Sequence, residues 1–208
     1  MPRDTIRTVT LACGLVLVLI SLGTRVGDMR LPGDHRGYSP VQPIAYSHRL
    51  HAGELDIDCA YCHTGAAMGR HAGIPSAGVC MNCHQSVTAA RADVLAEVER
   101  AKAEDEKPRL VIAPELRKLY RALGLNDERQ RDPTLQPTPI EWVRVHRVPD
   151  FVAFDHSSHI AADVACQHCH GPVESMDRVR QESTLLMGWC VDCHRQNNAT
   201  LDCGACHQ

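Results

Sequence analysis

The chain has 208 residues, 22 Lys and Arg against 25 Asp and Glu, and a formal net charge of −3. So near-neutral a balance offers no basic surface to a phosphate backbone, which argues against a nucleic-acid partner. Aromatic residues make up only 4%, with two Trp and two Phe, poor material for an ordinary core of this length, whereas 11 Cys and 13 His are abundant.

The first predicted element is apolar. From Thr8 to Thr24, 17 residues carry no charge, centred on Leu15-Val16-Leu17-Val18-Leu19-Ile20 and preceded by Arg3 and Arg7. The segment reads either as a membrane anchor at the short end of spanning length or as a signal peptide cleaved after the small residues around Ser21 and Gly23. Its uncharged run exceeds the roughly 7 to 15 residues of a signal core, which favours a retained anchor. Cys13, in Leu11-Ala12-Cys13, faintly resembles a lipoprotein box, but it precedes most of the apolar run instead of following it. It reads as a small apolar residue of the helix.

Next comes Tyr46-Ser-His48-Arg-Leu-His51, followed by two copies of Cys-x-x-Cys-His: Cys59-Cys62-His63 and Cys80-Cys83-His84. Three more copies lie in the last fifth of the chain: Cys166-Cys169-His170, Cys190-Cys193-His194 and Cys203-Cys206-His207. Together they use ten of the 11 cysteines. Cys-x-x-Cys-His is the attachment signature of c-type haem. Two intervening residues make about one tight turn, so both thiols face the porphyrin edge, and the following His is carried beneath the iron as proximal ligand. A Cys₄ zinc site or disulfides would also use paired cysteines, but neither needs a His after every second Cys. Five motifs predict five covalent haems, whose apolar bulk would supply what the amino-acid composition lacks. Haem attachment of this type takes place outside the cytoplasm, so the haem region belongs on the periplasmic side.

A cysteine-free stretch of 82 residues, 84 to 165, divides the motifs. Ala89 to Glu106, with Ala90, Val94, Val98 and Ala101 near one face, predicts an exposed amphipathic helix ending before Pro108. Pro114, then Leu116, Leu119, Tyr120 and Leu123 before Gly124, predicts a second, shorter helix. For helices so rich in charge, solvent is the commoner neighbour. Pro133, Pro137 and Pro139 mark an extended connector.

Beyond the insert the first pattern repeats. Phe154-Asp-His156-Ser-Ser-His159 precedes Cys166 as the Tyr46 element precedes Cys59, and Gly188-Trp189-Cys190 matches Gly78-Val79-Cys80. His156 follows His48 by 108 positions, and Cys190 follows Cys80 by 110. The chain is therefore duplicated, each half carrying aromatic-x-His-x-x-His and two haem motifs, with the motif ending at His207 appended to the second half. No strand-rich region is predicted. The fold class is mainly α with much irregular structure: an N-terminal transmembrane helix, then short helices and loops wrapped around five haems. The expected divisions are 1–30 (anchor or uncleaved signal), 31–88 (first dihaem half), 89–140 (helical insert) and 141–208 (second half, three haems).

Eight His remain after the five proximal ones. A second imidazole on each iron closes it as a six-coordinate relay site. His48, His51, His156 and His159, in the paired His-x-x-His elements, are the first choice as distal ligands. His146, in Trp142-Val-Arg-Val-His146, is the fifth. His71, Met176 and Met187 are rivals, although packing over a porphyrin is the commoner use of Met. His168 lies inside its own motif and points away from that iron, and His35 is left unassigned.

The ordered series Tyr46-Ser-His48-Arg-Leu-His51, Cys59-Ala-Tyr-Cys62-His63, Ala72-Gly-Ile-Pro75 with Cys80-Met-Asn-Cys83-His84, Trp142-Val-Arg-Val-His146-Arg-Val-Pro149-Asp-Phe151 and Met187-Gly-Trp-Cys190 resembles the pentahaem membrane-anchored cytochrome c subunit of bacterial alternative complex III. Its single modules are similar to class III multihaem cytochromes. The resemblance spans residues 44 to 207. It implies an electron-transfer subunit in a quinol-oxidising respiratory complex of the bacterial inner membrane. The implied partners are membrane quinol-oxidising subunits, an iron–sulfur subunit related to molybdopterin enzymes and a monohaem cytochrome c. Electrons then leave to a soluble carrier or a terminal oxidase. Related assemblies reduce quinone instead. No catalytic residue is assigned to the chain itself. The alternatives are a stand-alone anchored or soluble multihaem carrier, and a multihaem reductase, which would need an iron with an open position.

Overall fold

The computed structural model describes residues 13–18 and 33–207. The chain divides into two units, residues 1–34 and 35–208. In the first, residues 13–18 are helical, and Leu15, Val16, Leu17 and Val18 are exposed. Among the described residues no helix is long and apolar enough to cross a membrane. The rest of the expected anchor, and the cleavage region around Ser21, lie outside the described residues.

The second unit is built from short helices. In chain order they are a π-helical turn at Arg49–Glu54, α1 (Cys59–Cys62), a 3₁₀ turn at Thr64–Ala67, α2 (Ala77–His84), α3 (Arg91–Ala103), α4 (Pro114–Ala122), α5 (His156–Ala161), α6 (Cys166–His170), a 3₁₀ turn at Val173–Ser175, α7 (Met187–Gln196) and α8 (Cys203–Cys206). Extended pairing among the described residues is confined to two isolated bridges, Leu125 with Arg131 and Val152 with His207. The expected class, helical and irregular without strands, is what forms.

Helices of four to six residues cannot persist on propensity, because nucleation costs more than one turn returns. Local capping supports three of them. Asp58 accepts from the Ala60 N–H at 2.7 Å, Asp155 from that of Ser157 at 2.8 Å, and Asp202 from that of Gly204 at 3.1 Å. An aspartate at the residue before the helix thus satisfies donors that the first turn leaves free. In α1 and α8 that residue immediately precedes the first Cys of a motif.

The insert behaves in two ways. α3 is exposed along most of its length and is tied at its end by Arg100, which donates to Glu97 at 2.7 Å and to Glu106 at 3.0 Å. α4 is not a solvent helix. Leu119 and Tyr120 are buried and form the main apolar cluster with Ile112, against which Ile44, Ala77, Cys80, Met81 and Ile140 pack. The Tyr120 hydroxyl donates to the His84 carbonyl at 2.7 Å, so α4 is fastened to the end of the second motif. Gly124, at φ +69°, turns the chain out of α4 where an added Cβ would lie 2.9 Å from the Leu135 carbonyl oxygen.

The duplication in sequence becomes a reciprocal exchange in space. The π turn at Arg49–Glu54 packs on the 3₁₀ turn that follows the third motif, and α5 packs on the 3₁₀ turn that follows the first. Arg49 N–H donates to Met176 O at 2.9 Å, and Ser157 N–H to Gly69 O at 3.2 Å. A Cβ on Gly53 would overlap the Glu174 carbonyl oxygen, which explains glycine there. The halves also receive their appendages at equivalent points. Ala45 N–H donates to the Glu115 carboxylate of α4 at 2.6 Å, and Ala153 N–H, 108 positions on, donates to Cys206 O at 2.7 Å. The residue before each aromatic is thus tied to the segment added to its half.

Outside the motifs, the most completely buried polar side chain among the described residues is Gln181, at 0% exposure. Its amide donates to Ser183 O at 3.0 Å and its carbonyl accepts from Arg147 N–H at 3.2 Å, while its backbone pairs with Gly37 and Tyr38. It joins three segments distant in sequence. Gln181→Ala should therefore lower stability by about 1–3 kcal/mol, because the partners stay buried and unpaired. Thermal unfolding followed by circular dichroism should report this as a lower midpoint.

Candidate functional site

Each motif folds as one helical turn that carries two thiols and a following imidazole. The His63 N–H bonds Cys59 O at 2.9 Å and the His207 N–H bonds Cys203 O at 2.9 Å, which closes the turn around the two sulfurs. None of the ten motif cysteines is joined to another in a disulfide. Among the described residues no three His, Cys, Asp or Glu side chains converge on a common metal-ion position, so the cysteines are not gathered into zinc sites.

The histidines are arranged in facing pairs. His48 faces His63 at 6.5 Å between ring centroids, His51 faces His84 at 6.1 Å, His156 faces His170 at 6.3 Å and His159 faces His194 at 6.1 Å. These rings are too far apart to touch. Two metal–nitrogen bonds of about 2 Å plus the halves of two imidazoles give roughly 6 Å, so each gap is the size of one axially ligated iron. Four separately folded pairs share it, and in every pair one member follows a Cys-x-x-Cys.

Backbone carbonyls orient most of these rings. His63 Nδ1 donates to Gly73 O at 2.7 Å, His84 to Val87 O at 2.8 Å and His194 to Thr200 O at 2.6 Å. On the facing side His51 donates to Ser47 O at 2.9 Å, His159 to Asp155 O at 2.7 Å and His156 to Arg70 O at 2.7 Å. A carbonyl can only accept, so Nδ1 carries the proton and Nε2 keeps the lone pair that binds a metal. His48 Nδ1 is buried without a partner. Burial, with His63 and His51 adding to it, pushes His48 down to about 4, and burial with His156 and His63 does the same for His170. Both are neutral at ordinary pH, as a ligand must be.

The thiols give the order of the sites. Burial raises every shifted thiol, and the next contribution names a neighbour. For Cys59 it is Cys166, for Cys62 Cys83, for Cys80 Cys62, for Cys169 Cys193 and for Cys190 Cys206. Cys59 and Cys166, equivalent under the duplication, meet each other. The motifs thus adjoin in the order second, first, third, fourth, fifth. Within each half a side chain inside one motif reaches the next: Asn82 donates to the Tyr61 hydroxyl at 3.0 Å, and His168 Nε2 lies 3.7 Å from Cys193 Sγ.

The remaining expected ligands are placed differently. His146 sits against His170, at 4.3 Å with ring planes at 82°, and the ring beside His207 is Phe151, at 5.7 Å. His146 therefore adjoins the third site and not the fifth. Met176 is buried where the π turn meets the third-site loop, Met187 stands exposed at the start of α7, and His71 is exposed. The carbonyls of Arg70, Gly73, Val87 and Thr200 have no sequence signature, since every residue has a carbonyl. The three capping aspartates could have been read from their position before the helices. Apolar side chains stand exposed beside the motifs, among them Tyr61, Met68, Ile74, Phe151, Met187 and Leu201. A flat apolar group held at each motif would cover surface of this kind, so the donor set, the gaps and the surroundings all fit haem.

Paired thiols, each followed by an imidazole that faces a second one across such a gap, are the features of a multihaem c-type cytochrome, an electron-transfer class. Residues 152–208 match the family described as cytochrome c7 and related cytochrome c. The chain is also 24% identical, over 193 aligned positions covering 80% of it and 77% of the relative, to the menaquinone reductase multihaem cytochrome c subunit of Nitratidesulfovibrio vulgaris (strain Hildenborough).

His146 supplies a pH prediction. Burial, then His170 and His156, pushes it down to about 4, and its Nε2 is buried without a partner. The unfolded chain binds the proton from about pH 6.5 downward and the folded chain only near 4, so this group lowers stability progressively across that interval. His146→Leu should flatten the decline in melting temperature between pH 6.5 and 4, measured by calorimetry on the holoprotein.

Proposed function

We propose that this chain holds five c-type haems and serves as the electron-transfer subunit of a membrane quinone oxidoreductase, on the periplasmic side of a bacterial inner membrane. A c-type haem, when bound, supplies a one-electron ferric–ferrous couple. The observation that carries the reading is the set of four facing imidazole pairs, each beside a thiol pair, in sites that adjoin one after another. Cys59 and Cys62, Cys80 and Cys83, Cys166 and Cys169, Cys190 and Cys193, and Cys203 and Cys206 hold the five porphyrins. His63, His84, His170, His194 and His207 are the proximal ligands. His48, His51, His156 and His159 close the first, second, third and fourth sites. Imidazoles held on both sides would keep the bound group in place as its charge changes, which suits transfer and leaves no place for substrate.

The similarity to a menaquinone reductase subunit and the resemblance to alternative complex III both support a quinone partner, reached through membrane subunits, with iron–sulfur and monohaem cytochrome subunits alongside. They differ in the direction of flow. Haem-stained native electrophoresis of detergent-solubilised membranes tests the assignment. Co-migration with several subunits and quinone-dependent haem reduction or oxidation are expected. A lone soluble haem band would overturn it in favour of a free carrier. Pyridine haemochrome per polypeptide should give five haems, and a lower count would remove the corresponding motifs.

A second reading, a multihaem reductase, draws on the fifth site alone, where Phe151 and not an imidazole stands beside His207. Carbon monoxide distinguishes the two. Binding confined to one haem, with turnover of a small oxidised substrate, would favour catalysis; binding without turnover keeps the fifth site as a transfer terminus.

A further inference from the structure

The four facing pairs fall into two kinds. His48 and His63 are parallel to within 4°, and His156 and His170 to within 9°. His51 and His84 cross at 65°, and His159 and His194 at 49°. The division follows the duplication: the first His of each His-x-x-His takes part in a parallel pair, the second in a crossed one.

One aromatic ring per half accounts for this. Tyr46 stacks on His51 at 4.4 Å and 25°, and meets His48 edge-on at 4.8 Å and 86°. Phe154 stacks on His159 at 4.6 Å and 27°, and meets His156 edge-on at 4.8 Å and 88°. Two unlike side chains, 108 positions apart, hold two imidazoles each in the same geometry. The stacked imidazole is also tethered through Nδ1 to the carbonyl four residues before it, Ser47 or Asp155. Each aromatic ring thereby fixes two ligand planes nearly at right angles. Stacked and edge-on contacts are the two arrangements that an aromatic quadrupole favours.

We propose that Tyr46 and Phe154 are positioning residues that set the imidazole planes, dividing the relay into two parallel-plane sites (the first and third) and two crossed-plane sites (the second and fourth). In the spatial order of the motifs the sequence is crossed, parallel, parallel, crossed, then the fifth site, symmetric about the meeting of Cys59 with Cys166. The proposal rests on the paired-imidazole reading above. It adds a consequence that the reading alone does not have. Parallel imidazoles lift the near-degeneracy of the ferric iron's d orbitals strongly and give a rhombic low-spin resonance. Crossed imidazoles lift it weakly and give a highly anisotropic one.

Electron paramagnetic resonance of the oxidised holoprotein, followed through a potentiometric titration, tests both parts. Two rhombic and two highly anisotropic low-spin signals are expected in the wild type. Tyr46→Leu should shift one anisotropic signal and Phe154→Leu the other, whereas Tyr46→Phe and Phe154→Tyr should leave the spectrum unchanged. Four signals of one kind, or leucine variants with wild-type spectra, would overturn the proposal. The near-infrared charge-transfer band separates the levels of failure. If it reports bis-imidazole ligation while the signals are alike, only the plane assignment fails; if it does not, the paired-imidazole reading fails with it. Should a leucine variant not mature, the wild-type signal classes and the Tyr46→Phe spectrum still decide.

Discussion

His156→Ala is expected to leave the haem at Cys166 and Cys169 attached while removing one low-spin site from the four paired ones. Attachment depends on the thiols and ring position on His170, and neither is touched. What goes is the imidazole 6.3 Å from His170, held by the Arg70 carbonyl. One carbon monoxide-binding iron should appear where the wild type has none at this site, with the covalent haem mass unchanged. The third site lies in the middle of the spatial order, so oxidation and reduction across the chain should slow more than after the same change at His51, which faces His84 in the terminal second site. A low-spin spectrum unchanged by His156→Ala would remove His156 from the ligand set. His146 stands 4.3 Å from His170 and is the residue that could then be claiming the iron.

Much of this site was legible before any fold was known. Cys-x-x-Cys-His is a local motif whose chemistry depends on one turn, and one turn is what each copy forms. The His-x-x-His elements were equally readable, because aromatic-x-His-x-x-His recurs at an offset of 108 residues. In the fold His48, His51, His156 and His159 each face the histidine of a motif. His146 was not readable in the same way. It lies in an extended segment with no periodicity to fix its direction, and counting histidines against motifs made it the fifth ligand without saying which motif it adjoins. The structure puts it beside the third motif. The burial of α4 was also missed. Its charges suggested solvent, yet Leu119 and Tyr120 lie on one side and close over the end of α2. The carbonyl tethers were beyond reach, since they depend on where Arg70 and Gly73 come to rest and not on what their side chains are. The spatial order of the motifs depends on the two halves exchanging contacts, which no local pattern encodes.

That order yields the second large prediction. Along the sequence the Cys59 motif is an end and the Cys80 motif is interior. In space the reverse holds: Cys59 meets Cys166, whereas the neighbouring thiol of Cys80 is Cys62 and that of Cys62 is Cys83, both within the first two motifs. Removing the first haem with Cys59→Ala and Cys62→Ala should therefore split the relay, isolating the second site from the other three. Removing the second with Cys80→Ala and Cys83→Ala should only shorten it. Each double variant should hold four haems where the wild type holds five, by haemochrome assay and mass. Magnetic coupling between neighbouring ferric irons separates the two cases. The first variant should leave an uncoupled crossed-plane signal from the His51 and His84 site, whereas the second should keep the coupling between the sites of His63 and His170. Equilibration after rapid one-electron reduction should be biphasic in the first variant and single-phased in the second. If the Cys80 variant is the one that splits, the order follows the sequence and the contact between Cys59 and Cys166 is not part of the path. The second variant carries an additional structural cost, because Cys80 packs against the cluster of Ile112, Leu119 and Tyr120. Its melting temperature should fall below that of the first. Both spectroscopic readouts are taken on folded protein, so this difference in stability does not obscure which site lies at the end.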